Sequence, residues 1–440
     1  MDPTLVAGIL VLLLLAAIVL RAPIGLAMGA VGAIGYILLS SSSSLQAYVS
    51  TGWTDKFLSY DLAIVPLFIL MGHLATHTGI STALFAASNA WIGHWRGGLA
   101  MAAVAGCAMF GSISGSSIAT ASTMAKVALP EMRKHHYSGA LSSGALAAGG
   151  TLGILIPPSI VLIIYALLTE QNIVKLFLAA TVPAVLAVLG FIIAIAIYVR
   201  VFADAAPLQE RASLQTRLRS LGSIWHIVGI FVVVLGGIYG GFFTPAEGAS
   251  IGVVLIAVVG VFTRTLSLDA LIESLVETAA TSAMIFVILF GADIFNVAMA
   301  LSRVPTTLAD WFTAAEIAPT TVLLLIVAFY LVMGCVMDSL SMIVLTVPVF
   351  FPTMMSLDFG LLPEQQALWF GILTLVVVEL GMITPPVGLN LFIISAIAKE
   401  IPTSAIFRGT VPFIASEFVR IGLLIAFPAL SFWLVDVWSG

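Results

Sequence analysis

Residues 5–20 read LVAGILVLLLLAAIVL, sixteen positions without a charged or strongly polar side chain, and comparable runs recur along the chain. A helix needs roughly 20 such residues to cross a hydrocarbon core of about 30 Å. Backbone inside that core must satisfy its own N–H and C=O groups, which leaves only helices or closed barrels. The runs lack the two-residue alternation of a barrel strand, so the spans are expected to be helical. Only 8% of the 440 residues are charged and 61% are hydrophobic, against about a quarter charged in soluble domains. The chain therefore reads as an integral membrane protein lodged in a lipid bilayer, with no nucleic-acid partner expected. The net charge of −5 says little, because charge on such a chain is informative by side rather than by sum.

The first run has no basic segment before it and no small-residue cleavage site after it, so it is expected to be a retained span rather than a signal peptide. Cys107 and Cys335 lie in apolar surroundings without partners at metal spacing and read as packing residues. Sidedness comes from the loops. PEMRKHHYSG (130–139) and RVFADAAPLQERASLQTRLRS (200–220) are the richest in Lys and Arg, which places both in the cytoplasm. FFPTMMSLDFGLLPEQQALWF (350–370) has neither residue type and should lie outside, with both termini also periplasmic.

The chain is self-similar. GTLGILIPPSI (150–160) resembles ELGMITPPVGL (379–389): Gly153 matches Gly381 (381 − 153 = 228), and Pro157-Pro158 matches Pro385-Pro386 at the same offset. GSISGSSIATASTMAKVALP (111–130) likewise parallels GCVMDSLSMIVLTVPVFFP (334–352). Spans are expected near 4–20, 24–40, 57–77, 140–168 and 176–199, then 223–243, 247–263, 280–298, 367–396 and 409–435. Five crossings per half is an odd number, so the second half is inverted relative to the first, the plan of many secondary transporters with sites near the bilayer midplane. Segments 98–130 and 321–352 run apolar, then polar, then apolar, and are expected to be re-entrant hairpins whose polar tips face a site rather than lipid. The expected organisation is scaffold helices in 1–56, a first repeat core in 57–222 (hairpin 98–130, broken helix 140–168), further scaffold helices in 223–270, and a second core in 271–440 (hairpin 321–352, broken helix 367–396). The fold class is thus all-α integral membrane, an inverted-repeat secondary transporter with two hairpins and two broken helices.

At the first tip Gly111 and Gly115 permit turning backbone, while Ser112, Ser114, Ser116, Ser117 and Thr120 supply hydroxyls. A helix N-terminus there attracts an anion and turn carbonyls attract a hard cation; plain helix packing by small residues is the competing reading. At the second tip, Met337-Asp338-Ser339-Leu340-Ser341, Asp338 is an ionisable group at bilayer depth, either coordinating a cation or capping the next helix. Adjacent prolines interrupt a helix and free carbonyls near Ile156 and Thr384, a recurrent source of cation ligands in transporters. Thr244-Pro245-Ala246-Glu247 reads as a capping box. Asp293 and Glu379 could pair with each other or with a cation, His73 reads as a lone interior histidine, and Lys126 as a snorkelling side chain.

Taken in order, GSISGSSIATASTMAKVALPEM, GTLGILIPPSI, MDSLSMIVLTVPVFFP and GMITPPVGLNLF resemble the large membrane subunit, DctM type, of tripartite ATP-independent periplasmic (TRAP) transporters, over nearly the whole chain. The resemblance implies a non-enzymatic, elevator-type permease in the bacterial inner membrane. It would be driven by sodium ions without an organic cofactor, and would take an organic acid from a periplasmic binding protein (DctP type) beside a small membrane subunit (DctQ type). The absence of an N-terminal four-helix extension suggests that the small subunit is a separate polypeptide. Carried over by position, one sodium site involves Ser114, Gly115 and Ser116 with Gly153, Ile156 and Pro158. The second involves Met337, Asp338 and Ser339 with Thr384, Pro385 and Gly388. The carboxylate falls near Ser116, Ser117, Thr120, Ser339, Pro386 and Asn390. The closest rival is a stand-alone sodium/carboxylate symporter of the same architecture. A membrane protease reading is disfavoured because a serine nucleophile requires a base, and no histidine falls in an expected span near the serine tips except His73, which is expected to be remote from them.

Overall fold

The computed structural model describes residues 3–57, 60–304, 306–307, 311 and 314–439. Among them every regular element is helical: α1 Pro3–Val19, α2 Ile24–Leu39, α3 Ser42–Phe57, α4 Ile64–His77, α5 Ile80–Ile92, α6 Gly98–Ser114, α7 Ser117–Lys134, α8 Gly139–Leu155, α9 Ile160–Thr169, α10 Ile173–Val201, α11 Leu214–Tyr239, α12 Pro245–Phe262, α13 Leu268–Leu301, α14 Pro319–Gly334, α15 Ser339–Met355, α16 Pro363–Ile383, α17 Leu389–Ile397, α18 Thr403–Ala426 and α19 Ala429–Ser439. Six of these (α10, α11, α12, α13, α16, α18) are long and apolar enough to cross a membrane, and the bent pairs α4–α5 (68°) and α8–α9 (41°) raise the number to eight.

The expected hairpins are α6–α7 and α14–α15, and the expected broken helices are α8–α9 and α16–α17. Each first arm crosses its broken helix at a pair of glycines. A Cβ on Gly111 would lie 2.6 Å from Gly153 Cα, and a Cβ on Gly381 would lie 2.6 Å from Gly334 Cα. The two crossings occupy matching places in the two halves, so the repeat seen in the sequence is also a repeat of backbone contact. Helices α8 and α16 sit at the centre: every residue of α16 from Gln366 to Ile383 is buried, as is every residue of α8 from Leu141 to Leu155.

Several elements differ from the sequence expectation. Helix α3 carries mixed polar residues and has no apolar run to announce it. The expected span at 57–77 is a helix only from Ile64, after a 3-10 turn at Tyr60–Ala63, and residues 58–59 lie outside the described set. Helix α5 turns away from α4 at Gly79, whose φ of +72° is left-handed. Helix α13 is 34 residues long, well beyond the expected 280–298. The expected span 409–435 is two helices, parted at Phe427-Pro428, because proline cannot continue the hydrogen-bond ladder.

The basic loops share a face. Ser138 N–H donates to the Ala205 carbonyl at 2.9 Å, Arg133 pairs with Glu400, and Arg217 lies 3.3 Å from His94. The Lys175–Glu364 pair (2.5 Å) lies at the far end of α10, 29 residues and so roughly 43 Å away along the axis. The PEQQ loop is therefore on the opposite face from the basic loops.

Candidate functional site

Each hairpin tip is a helix break built from local chemistry. Gly115 ends α6 with φ +60°, and Ser116, in extended backbone, caps α7 by accepting the Ala119 N–H at 3.3 Å. At the second tip Asp338 caps α15, its Oδ2 accepting the Ser341 N–H at 3.1 Å. The breaks are built similarly. Ser159 caps α9, accepting from Leu162 N–H at 3.3 Å, and its hydroxyl donates to the freed Ile154 carbonyl. Thr384 Oγ1 donates to the Leu380 carbonyl at 2.6 Å. Pro157-Pro158 and Pro385-Pro386 are both cis.

Tips and breaks meet in pairs. At the first, Ser116 O and Thr120 Oγ1 rest on Gly153, where a Cβ would approach them to 2.7 and 2.5 Å, and the Pro158 carbonyl faces Gly115. Ser114 Oγ and Thr120 Oγ1 share a hydrogen bond of 2.8 Å. At the second, Gly388 N–H donates to the Cys335 carbonyl at 3.3 Å, and the Cys335 thiol lies 3.5 Å from the Pro385 carbonyl. Each pair concentrates carbonyl and hydroxyl oxygens, the ligand type a hard cation prefers.

The tips also meet each other. A cavity of about 310 Å³ is lined by Ser114, Gly115, Ser116 and Ser117 from the first tip and by Asp338, Ser339 and Leu340 from the second. Its other wall is α4 and α13, through His73, Thr76, Thr281 and Met284. The N-termini of α7 and α15 thus end at one space, where free N–H groups and helix dipoles favour an anion.

The remaining candidates fall elsewhere. Thr120 and Asn390 are fully buried and do not line the cavity. Asn390 Nδ2 donates to Ser117 Oγ (2.7 Å) and to the Ala147 carbonyl (3.2 Å), tying the second broken helix to the first tip. Pro385 and Pro386 are exposed outside the cavity; Ile156 and Thr384 are half-buried at their breaks; Met337 and Gly388 are buried. Glu379 and Asp293 do not pair with each other. Glu379 joins Arg420 at 2.8 Å in a buried cluster with Glu417, while Asp293 accepts the Tyr48 hydroxyl at 2.6 Å. Glu247 forms the expected capping box with Thr244. Lys126 is exposed. His73 is not a lone interior histidine: it lines the cavity and pairs with Glu277 at 3.0 Å. That role was hidden because its partner lies on a helix about 200 residues away. Thr76 and Thr281 were likewise missed, because neither belongs to a motif that recurs in the other half.

This architecture has a counterpart among solved structures. The Alcanivorax borkumensis YdaH transporter, described as having an unusual topology, matches 99% of this chain and 100% of its own with a TM-score of 0.65 at 17% identity, a likeness of fold alone. The family model described as "Tripartite ATP-independent periplasmic transporter, DctM component" matches residues 11–430. The C4-dicarboxylate TRAP transporter large permease protein DctM of Pseudomonas aeruginosa is 35% identical over 94% of both chains. The protein of the same description from Rhodobacter capsulatus is 34% identical over 77% of this chain and 79% of its own. The sialic acid TRAP transporter large permease protein SiaM of Vibrio cholerae is 29% identical over 93% of each. This multi-pass membrane chain belongs to the DctM family of TRAP transporter large permease subunits.

Proposed function

We propose that this subunit imports an organic acid across the bacterial inner membrane, coupled to sodium. The observation that carries the reading is the cavity where both tips converge. Its volume, about 310 Å³, lies at the small end of the roughly 300–1,000 Å³ of ligand pockets, which suits a compact carboxylate. The helix N-termini at Ser116 and Asp338 receive the carboxylate. The Asp338 carboxylate borders the same space and would repel an anion, so a cation must accompany the substrate. Oxygens at the two tip–break junctions supply places for it. Because the Pseudomonas relative is named for C4-dicarboxylates, that class is the first to test.

Transport proceeds as an elevator: the two hairpins and two broken helices move as a block past the wall of α4 and α13. Positive-inside charge argues for a cytoplasmic basic face; Asp436, 3.2 Å from Gln365 on the opposite face, supports a periplasmic C-terminus, and we assign the N-terminus to the same side. Two partners complete the system, a small membrane subunit and a periplasmic binding protein. The test is reconstitution of all three components in vesicles under an imposed sodium gradient. Uptake of a C4-dicarboxylate should need the gradient and the binding protein; full-rate uptake by the large subunit alone would instead establish the symporter.

A further inference from the structure

We propose that His77, Glu273 and Glu277 form a binding site for a divalent transition-metal ion of the zinc class, clamping α4 to α13 beside the substrate cavity. The geometry has three parts. First, one ligand atom from each of the three residues lies within 4.8 Å of the other two. Second, the ligands come from helical pairs that face each other: Glu273 and Glu277 are four apart on α13, and His73 and His77 are four apart on α4, so each pair shares a helix face. Third, the shared ligand is already oriented: Glu277 Oε2 lies 3.0 Å from His73 Nδ1 and 3.9 Å from His77 Nε2. A hydrogen bond onto a ligating carboxylate is the usual outer support of a metal site.

One imidazole and two carboxylates with a position left for water match the donor set that zinc accepts at about 2.0–2.2 Å. The hard oxygens alone would suit magnesium or calcium, but the imidazole shifts the preference toward zinc, nickel or copper. Donor atoms up to 4.8 Å apart must draw together to meet one ion at about 2.0–2.2 Å. Because His73 both supports Glu277 and lines the cavity, an ion held here stiffens the wall that the hairpin tips face. Gly72, next in sequence, packs against Ser114, where a Cβ would lie 3.0 Å from the Ser114 Cα. Metal occupancy is therefore expected to slow transport.

The test uses the full chain in lipid nanodiscs with Co²⁺ as the spectroscopic probe and Zn²⁺ as competitor. The expected result is one tight Co²⁺ site with visible absorption that Zn²⁺ displaces, and a Zn²⁺-induced rise in melting temperature. Both signals should be lost in His77→Ala and in Glu273→Gln, weakened about 10–100-fold in His73→Gln, and unchanged in His135→Ala. The metal-free melting temperature of Glu273→Gln, an exposed position, should match the parent and so shows that the variant is folded. Absence of the Co²⁺ site in the parent protein, or parental binding by His77→Ala and Glu273→Gln, overturns the proposal.

Discussion

Gly153→Ala isolates the contact between the first tip and the first broken helix. A methyl group at this position would sit 2.7 Å from the Ser116 carbonyl oxygen and 3.0 Å from its carbon, while real Cβ atoms essentially never approach within 3.0 Å and seldom within 3.4 Å. The tip must therefore withdraw by between 3.0 − 2.7 = 0.3 Å and 3.4 − 2.7 = 0.7 Å. The Thr120 hydroxyl must also give up its 2.8 Å bond to Ser114 Oγ to move aside, and Ser116, being backbone, cannot rotate. Overpacking of this kind costs about 1–3 kcal/mol. If sodium binds only the close-packed tip, that cost appears as a loss of sodium affinity of about 5–150-fold. The assay is uptake by the reconstituted system as a function of sodium concentration, with Gly222→Ala, which meets nothing within 4 Å, as the control. A half-saturating sodium concentration unchanged in Gly153→Ala would refute the assignment of this junction as an ion site.

Replacing Asn390 with Ala leaves the buried Ser117 hydroxyl without its amide partner, while the Ala147 carbonyl keeps its place in the α8 ladder; at about 1–3 kcal/mol for the one orphaned group, a drop in detergent melting temperature is expected. Arg420→Met leaves Glu379 and Glu417 facing each other in the interior, a loss of about 3–5 kcal/mol that adding Glu417→Gln should partly restore, again read by thermal melting. Thr244→Ala removes a cap and should cost about 1 kcal/mol while leaving the sodium dependence of uptake untouched. A cysteine at Ser116, which lines the cavity, should react with a membrane-impermeant maleimide and be protected by substrate, whereas Cys107, fully buried, should not react.

Much of the site was readable along the chain because its parts are local. A Gly-Ser cluster, an Asp at bilayer depth and a pair of adjacent prolines each break a helix by their own chemistry. Their duplication at an offset of 228 residues, 153 to 381, showed that the breaks belong together. Less was readable about the wall opposite the tips. His73, Thr76 and Thr281 belong to no repeated motif, and nothing near them in sequence distinguishes a cavity lining from a helix end or a packed interior. Helix α5 escaped notice for a different reason: its direction depends on the left-handed turn at Gly79, which hydropathy does not register.

The sequence by itself determined that the chain is helical and membrane-embedded, that it is built from two inverted halves, and where each half is interrupted. These properties follow from backbone hydrogen bonding in hydrocarbon and from the conformational limits of glycine and proline, which act over a few residues. Only the tertiary structure decided which polar groups share a space. It placed Ser114–Ser117 opposite Asp338–Ser339, turned Asn390 inward as a tie between the halves, joined Glu379 to Arg420 rather than to Asp293, and set His73 beside Glu277. Those pairings lie between helices distant in sequence, and which faces meet is settled by close packing at glycine crossings such as Gly111–Gly153 and Gly334–Gly381.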